Sequence, residues 1–128
     1  MKLPPRMRAW LNRWLGNRGE QAAEKYLRAL GWKILSRGAR VRHGEIDIIA
    51  LEGRTLVFVE VKTRRRGYPK ESITLEKQRR LTRAVLRFSK RHGLLDQRGR
   101  FDVIAITWPE LDQPPHIEHI RNAFAATD

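Results

Sequence analysis

Charged side chains occur in two apolar, strand-like segments of the sequence, where such residues are costly. The segment GEIDII contains Glu45 and Asp47, and the segment VFVEVKT contains Glu60 and Lys62. Removing a charge from water costs free energy unless a partner or a metal ion compensates it. Because departures from a local pattern tend to mark functional sites, these four residues are the first candidates for chemistry.

The second segment presents its acid and its lysine together. The strand period of two places Glu60 and Lys62 on the face opposite Val57, Val59 and Val61. The two charged residues are then about 6.6 Å apart along the strand. They are therefore expected to face one cavity or one stretch of solvent.

Asp47 can join Glu60 only in some registers of the hairpin between the two strands. The paired residue numbers must sum to an odd value, because a shift of one residue turns every side chain to the other face. A two-residue loop at Glu52 and Gly53, or a loop of four residues, meets this condition, whereas a loop of three residues does not. The register of this hairpin is thus a geometric test of the site.

Converging carboxylates of this kind predict a metal site. Asp47 and Glu60 offer hard oxygen ligands of the type that Mg²⁺, or Mn²⁺, binds while keeping several waters. Such an ion neutralises a phosphate oxygen and lowers the pKa of an attacking water, and the Lys62 ammonium can stabilise the developing negative charge. Glu20, from a predicted helix, could supply a third carboxylate. The chemistry indicated is phosphodiester hydrolysis.

Each of these residues also has a structural alternative. Glu60 and Lys62 could form a salt bridge on a half-exposed sheet, and Asp47 could protect an edge strand against aggregation. Glu20 could serve a capping box at a helix that starts at Asn17. The sequence leaves these alternatives open.

The elements that must position these residues follow from the hydrophobic patterns. We predict an α/β domain with a mixed sheet and the order α, β, β, β, α, β, followed by a weak edge strand. The first helix is expected over residues 17–30, with Asn17 as N-cap, and residues 1–16 as a basic extension, mobile or packed on the single domain 17–128. The remaining elements are a short strand region made of 32–36 and 39–42, strands over 44–52 and 55–63, a helix over 74–93, a strand over 100–107 and an edge strand within 116–124.

The charge balance indicates a polyanionic partner. The chain has 27 Lys and Arg against 14 Asp and Glu, a formal charge of +13, and no cysteine. A surface of this sign attracts nucleic acid and releases counterions from it. No disulfide or thiolate metal site can form, and no apolar run approaches the roughly 20 residues that span a bilayer. We expect a cytoplasmic protein that binds nucleic acid and not membrane.

The pieces RGEQAAEKYL, HGEIDIIA, LVFVEVKTR and RFDVIAI carry a family resemblance. They are similar to the YraN-like family of small bacterial predicted nucleases, within the PD-(D/E)xK or restriction-endonuclease-like superfamily. The resemblance implies an αβββαβ core with Asp47 and Glu60 as metal ligands and Lys62 as the catalytic lysine. It further implies Glu20 as the helix carboxylate of archaeal Holliday-junction resolvases and Gln78 as a supporting residue. Ile46 stands where the motif is usually written with proline.

The expected function is that of a Mg²⁺- or Mn²⁺-dependent endonuclease, with DNA favoured over RNA and structure-selective cutting favoured because nothing resembles a base-reading module. The residues expected to contact nucleic acid are Arg64, Arg65, Arg66, Lys77, Arg80 and Arg83. A homodimer would let so small a nuclease address two strands. The alternatives are a nucleic-acid binder with a degenerate nuclease fold, and a basic module whose acids pair with its own arginines.

Two further groups of residues are set aside. His116 and His119 have an HxxH spacing but lack further ligands, so surface histidines are favoured over zinc. Asp102 is expected to be a strand-end partner of an arginine and not a third ligand.

Overall fold

A five-stranded mixed sheet with one helix packed on each face forms the molecule. The computed structural model describes residues 4–41, 44–65, 74–94 and 99–125. The elements in chain order are α1 (Pro5–Ala29), β1 (Lys33–Val41), β2 (Gly44–Glu52), β3 (Thr55–Arg64), α2 (Leu75–Arg91), β4 (Gly99–Thr107) and β5 (His116–Ile120).

The strands lie in the sheet in the order in which they occur in the chain. Neighbouring strands are antiparallel except β3 and β4, which are parallel. A parallel pair needs a long crossover, and α2 supplies it. The predicted α/β class is confirmed as a restriction-endonuclease-like αβββαβ core, and the predicted edge strand is β5.

The β2–β3 hairpin has the register that the site requires. Ile48 pairs with Val59 and Glu52 pairs with Thr55, so the paired numbers sum to an odd value. The two-residue loop lies one position later than predicted, at Gly53 and the residue after it. Gly53 has a φ of +59°, which the first loop position of such a hairpin favours and which glycine adopts without strain.

Alternation in β3 divides the core between the two faces of the sheet. Val57 and Val59 are buried with Ala23 and Leu27 of α1. Phe58 is buried on the opposite face, in a cluster that α2 completes. The residues that follow in β3 continue this alternation, so each of them faces either α1 or α2.

The first helix starts at Pro5, not at Asn17 as predicted. Proline is well tolerated at the first helical position, and its fixed φ suits a helix start. Residues four positions apart form one buried stripe through the expected boundary: Leu15, Gly19, Ala23 and Leu27. Asn17 is therefore inside the helix, and the capping-box alternative for Glu20 is wrong. The division of the chain into 1–16 and 17–128 stays a prediction.

The second helix confirms its predicted start. The Thr74 side chain accepts a hydrogen bond from the Lys77 backbone N–H at 3.1 Å, which caps the helix N-terminus. The helix ends at Arg91, two residues earlier than expected, and Gly93 follows with a φ of +67°. Among the described residues, no helix combines the length and the apolar character that crossing a membrane requires.

Candidate metal centre

Three carboxylates from two elements meet at one end of the sheet. Each of Glu20 in α1 and Glu45 and Asp47 in β2 offers an oxygen, and these three oxygens all lie within 4.8 Å of one another. A divalent cation binds oxygen ligands at about 2.0–2.6 Å, so ligands on opposite sides of one ion are separated by about 4–5 Å. The donor set and its spacing therefore fit a hard divalent cation.

Asp47 lies where β2 separates from β3. The ladder between these strands is described from Glu52–Thr55 to Ile48–Val59, and the next residue of β2 is Asp47. Its Oδ2 accepts a hydrogen bond from the Val61 backbone N–H at 2.9 Å. A side chain takes over a contact that a backbone carbonyl normally makes in a ladder, and this fixes the carboxylate at the strand junction.

Two small cavities reach Asp47 from opposite sides. One, of about 260 Å³, is also lined by Glu60 and Arg80. The other, of about 250 Å³, is lined by Glu20 and Thr63 together with residues of the first half of α1. Asp47 is therefore accessible both from the α2 side and from the α1 side.

The environment of Asp47 opposes its ionisation. Burial and then the negative charge of Glu60 raise the pKa of this carboxyl, the hydrogen bond from Val61 offsets part of the rise, and the pKa is about 7. A cation bound beside the carboxylate would reverse this balance. Glu20 shows the same trend, because burial and the charge of Glu45 raise its pKa while Arg37 opposes them.

Glu60 lies next to Asp47 but is held by α2. Its Oε1 accepts a hydrogen bond from Lys77 Nζ at 2.5 Å, and its side chain is 11% exposed. The predicted pair of Asp47 and Glu60 is thus brought together, and their mutual repulsion contributes to the raised pKa of Asp47. Glu60 is not one of the three clustered carboxylates. Glu45 occupies the position in the cluster that was predicted for Glu60.

Lys62 shares the face of Glu60. The two residues are two positions apart in β3, and alternation directs both toward the α2 side. Lys62 is half-buried, and it makes no hydrogen bond or ion pair with another residue in the described ranges. The role of Lys62 as the catalytic lysine stays a prediction.

A close contact between α1 and β3 positions Glu20. Gly19 is buried, and a Cβ added there would meet the Thr63 Oγ1 at 1.9 Å. Only glycine permits this approach, which brings the next residue of the helix to the carboxylates of β2. Glu20 was predicted from the sequence, whereas the role of Gly19 in positioning it follows only from the packing of α1 on β3.

Glu45 belongs to the carboxylate cluster but was not among the predicted metal ligands. It was recognised as a charged residue in a strand, and it is exposed. The strand period of two could have identified Glu45, because residues two apart in a strand share a face and Glu45 is two positions before Asp47.

The basic residues predicted to contact nucleic acid have different surroundings. Arg80 lines the cavity on the α2 side and is exposed, as is Arg83. Arg65 donates through Nη2 to the Pro109 carbonyl at 3.1 Å. Lys77 pairs with Glu60, as described above, so its charge is directed into the site.

Three more residues were predicted to support the site or to contact nucleic acid. Arg64 is half-buried at the end of β3, and its carbonyl accepts a hydrogen bond from the Trp108 N–H at 2.7 Å. Gln78 lies in the first turn of α2, where its carbonyl accepts from the Thr82 hydroxyl at 2.8 Å. Arg66 lies outside the described residues. The contact of this set with nucleic acid stays a prediction.

The expectation of two surface histidines is wrong for His119. Its side chain is 6% exposed, and its Nε2 is 2.7 Å from Asp102 Oδ2, while its Nδ1 is 3.1 Å from the Tyr26 hydroxyl. His116 is exposed. The second position of the HxxH pattern is buried because β5 pairs with β4 and turns this residue toward α1.

Asp102 does pair with an arginine, as predicted, but inside β4 and not at the strand end. Its Oδ1 accepts from Arg100 Nε at 2.8 Å. Burial alone raises the pKa of this carboxyl, but hydrogen bonds from His119, Arg100 and the Asn122 backbone outweigh it and hold the pKa at about 2. Asp102 is thus a fully partnered acid, unlike the carboxylates of the metal centre.

The fold is that of a restriction-endonuclease-like core, and sequence comparison gives the family. Residues 19–106 match the Uncharacterised protein family UPF0102. The chain belongs to this family, which is the YraN family that its motifs resemble.

Similar proteins from distant bacteria bear the same family name. A UPF0102 protein of Geobacter sulfurreducens is 52% identical over 116 residues, covering 88% of this chain and 90% of the relative. A UPF0102 protein of Rhodopirellula baltica is 46% identical over 121 residues, covering 90% of this chain and 72% of the relative. One from Caldicellulosiruptor saccharolyticus is 46% identical over 113 residues, covering 86% and 96%. These names state a family and no activity.

Proposed function

We propose that this protein is a divalent-metal-dependent endonuclease that hydrolyses phosphodiester bonds in nucleic acid. The observation that carries the proposal is the convergence of the Glu20, Glu45 and Asp47 oxygens within 4.8 Å in a chain of net charge +13. Acids that repel one another in this way are stable together when a cation is bound between them. Mg²⁺ or Mn²⁺ is the proposed ion.

The proposed roles follow from the positions of the side chains. Asp47, Glu20 and Glu45 would hold the cation, with Glu60 completing the acidic wall on the α2 side. The bound ion would supply charge neutralisation at a phosphate oxygen and a water of lowered pKa. Lys62 would stabilise the negative charge that develops on the phosphate.

The proposed substrate is nucleic acid with an irregular structure, with DNA favoured over RNA. Arg80 presents an exposed guanidinium group beside the centre, and Arg83 is exposed about one helical turn further along α2, which suits phosphate contacts without base recognition. A junction or a flap exposes phosphates in arrangements that a regular duplex lacks. The cytoplasm, where nucleic acid and Mg²⁺ occur together, is the proposed compartment, and a homodimer the proposed assembly for cutting two strands.

A nicking assay tests this proposal. Labelled duplex, single-stranded, flap and four-way substrates are incubated with the protein and Mg²⁺ or Mn²⁺, and products are resolved on denaturing gels. We expect cleavage of at least one branched substrate, abolished by EDTA. Asp47→Asn and Lys62→Ala should each lower the rate by at least about 100-fold, since each removes a charge that acts in the transition state.

Glu110→Gln is the matched control, because Glu110 is an exposed acid in the connection between β4 and β5. This variant should cleave as the wild type does. Equal and metal-independent rates for all variants would refute the nuclease assignment.

A second candidate is a non-catalytic nucleic-acid binder that retains the nuclease fold. The ion pair between Glu60 and Lys77 favours it, because this pairing occupies one of the two acids of the motif. In that case no substrate would be cut by any variant, while binding would fall steeply with rising salt.

A further inference from the structure

A groove separate from the metal centre runs between the second half of α2 and strand β1. Its volume of about 830 Å³ lies in the range of about 300–1,000 Å³ in which proteins bind small ligands. Apolar side chains form its floor, among them Leu35, Ala39 and Phe88. Leu35 is 41% exposed, so this floor is open to whatever enters.

The same groove has a strongly basic rim. Arg40 from β1 and Arg87 and Arg91 from α2 line it, and no acidic residue does among those described. None of the three arginines forms an ion pair within the described ranges. Three guanidinium groups that have no acidic partner among the described residues surround an apolar floor, and this arrangement favours a ligand with apolar surface and several negative charges.

The groove continues toward the metal centre along α2. At 100° per residue, Arg80, Arg87 and Arg91 lie within about 40° of one another around the helix, and they span about 16 Å along its axis. Arg80 lines the cavity at Asp47, and Arg87 lines the groove. The strands also connect the groove and the metal centre, because Arg40 of the rim lies opposite Glu45 in the backbone register of the β1–β2 ladder.

We propose that this groove binds an unpaired single strand of nucleic acid and leads it to the metal centre. The bases contact the apolar floor, and the phosphates contact Arg40, Arg87 and Arg91. The inference deepens the proposed function and rests on it for the reaction, since it states which part of a substrate lies beside the site.

The chemistry of the groove favours an unpaired strand over a duplex. In a duplex the faces of the bases are covered by the neighbouring base pairs, whereas the faces of unpaired bases are free to stack on exposed rings. His92 at the end of α2 lies against Phe88, with ring centroids 4.3 Å apart, and its ring borders the groove. An aromatic surface beside arginines is the arrangement that single-strand binders use.

Fluorescence anisotropy without divalent metal tests the groove independently of catalysis. The probes are a labelled oligothymidylate of 15 nucleotides and a duplex of equal length, both in EDTA. Arg87→Gln with Arg91→Gln should weaken single-strand binding at least tenfold. This variant should also lower the slope of log K against log salt by about 1.4, since each phosphate contact to a single strand contributes about 0.7.

The matched control removes two charges from the outer face of the same helix. Arg79 and Lys90 are exposed, and Arg79→Gln with Lys90→Gln should keep single-strand affinity within about threefold, because distant surface charges are screened. His92→Ala should weaken single-strand binding about tenfold through lost stacking and leave duplex binding unchanged.

Three results would overturn the inference. The first is an equal loss of single-strand affinity in the groove variant and in the control variant. The second is an equal loss of duplex affinity and single-strand affinity in the groove variant. The third is a groove variant that loses affinity for polyglutamate, used as a further probe, but not for the oligothymidylate. The last would identify an acidic polypeptide as the occupant. Because no metal is present, a protein inert in the nicking assay can still satisfy this test, so the two proposals fail separately.

Discussion

Acidic side chains in this protein occur in two opposite electrostatic states. Glu52 is held by Arg100 and Arg121, and hydrogen bonds from these arginines lower its pKa. Asp47 and Glu20 lie beside other acids, and their pKa values are raised. In a chain with so many arginines, acids left to repel one another are a costly arrangement, which supports a cation as their missing partner.

Asp47 should make the stability of the metal-free protein depend on pH. Its folded pKa of about 7 lies above the ordinary value of 3.8. The unfolded state therefore releases this proton first, and stability should fall as pH rises from about 4 to about 7 and then level off. Asp47→Asn should remove this fall and make the protein more stable at pH 8, by on the order of 2–4 kcal/mol.

Urea unfolding at pH 5.5 and pH 8 in EDTA measures this difference between wild type and variant. Asp112, an exposed acid in the connection after β4, supplies the control Asp112→Asn, which should follow the wild type at both pH values. Mg²⁺ should stabilise the wild type more at pH 8 than at pH 5.5, because a ligand must lose its proton before it binds metal. A variant that parallels the wild type at both pH values would contradict the assignment of a strained, buried Asp47.

At the scale of elements, the site depends on how closely α1 approaches β3. Gly19 and Gly16 are both inside α1, but they differ in what surrounds them. A Cβ at Gly19 would collide with Thr63, whereas a Cβ at Gly16 would meet nothing within 4 Å. One glycine is required by a contact and the other is not.

This difference gives a paired prediction in one helix. Gly16→Ala should stabilise the protein by about 0.5–1 kcal/mol, since alanine is the better helix former. Gly19→Ala should destabilise it by about 1–3 kcal/mol, because the added methyl must displace the helix or Thr63. Chemical denaturation measures both changes. If both alanines stabilised the protein equally, the close contact that positions Glu20 would be absent.

The elements show what sequence patterns can and cannot predict. Alternation in β3 placed Glu60 on the face opposite Val59, and the hairpin parity brought Asp47 beside it, because both follow from a period of two. The predicted start of α1 was wrong, since Gly16 and Asn17 locally resemble the beginning of a helix. Only the stripe of residues from Leu15 onward that are buried against the sheet shows that the helix is continuous there. The pairing of Lys77 with Glu60 could not be predicted, because it depends on where the crossover helix packs.

At the scale of the whole molecule, a buried polar network joins segments that are distant in the chain. Asp102 in β4 contacts Arg100, His119 in β5 and the Asn122 backbone after it. Through His119 the network also reaches Tyr26 of α1. It fastens the last strand to the sheet and to the helix that carries Glu20.

Breaking this network should therefore affect stability globally. Asp102→Asn should cost on the order of 2–4 kcal/mol, because the charge-assisted hydrogen bonds that the buried carboxylate accepts from Arg100 and His119 are weakened or lost. Since the pKa of Asp102 is lowered to about 2, its contribution is present above the ordinary value of 3.8 and is lost as pH falls through 2. Thermal unfolding at pH 7 and below pH 3 measures both effects. An equal deficit at the two pH values would contradict the ionised pairing.

The separation of β2 from β3 beyond Ile48 has a stereochemical consequence. Displacement at phosphorus proceeds in line, so the entering oxygen and the departing oxygen occupy opposite sides of the reacting atom. In the proposed function, a phosphate that a cation holds at Asp47 would have open volume toward both helices. Water could then enter through one opening while the cut end of the strand leaves through the other, and the two need not exchange places between turnovers.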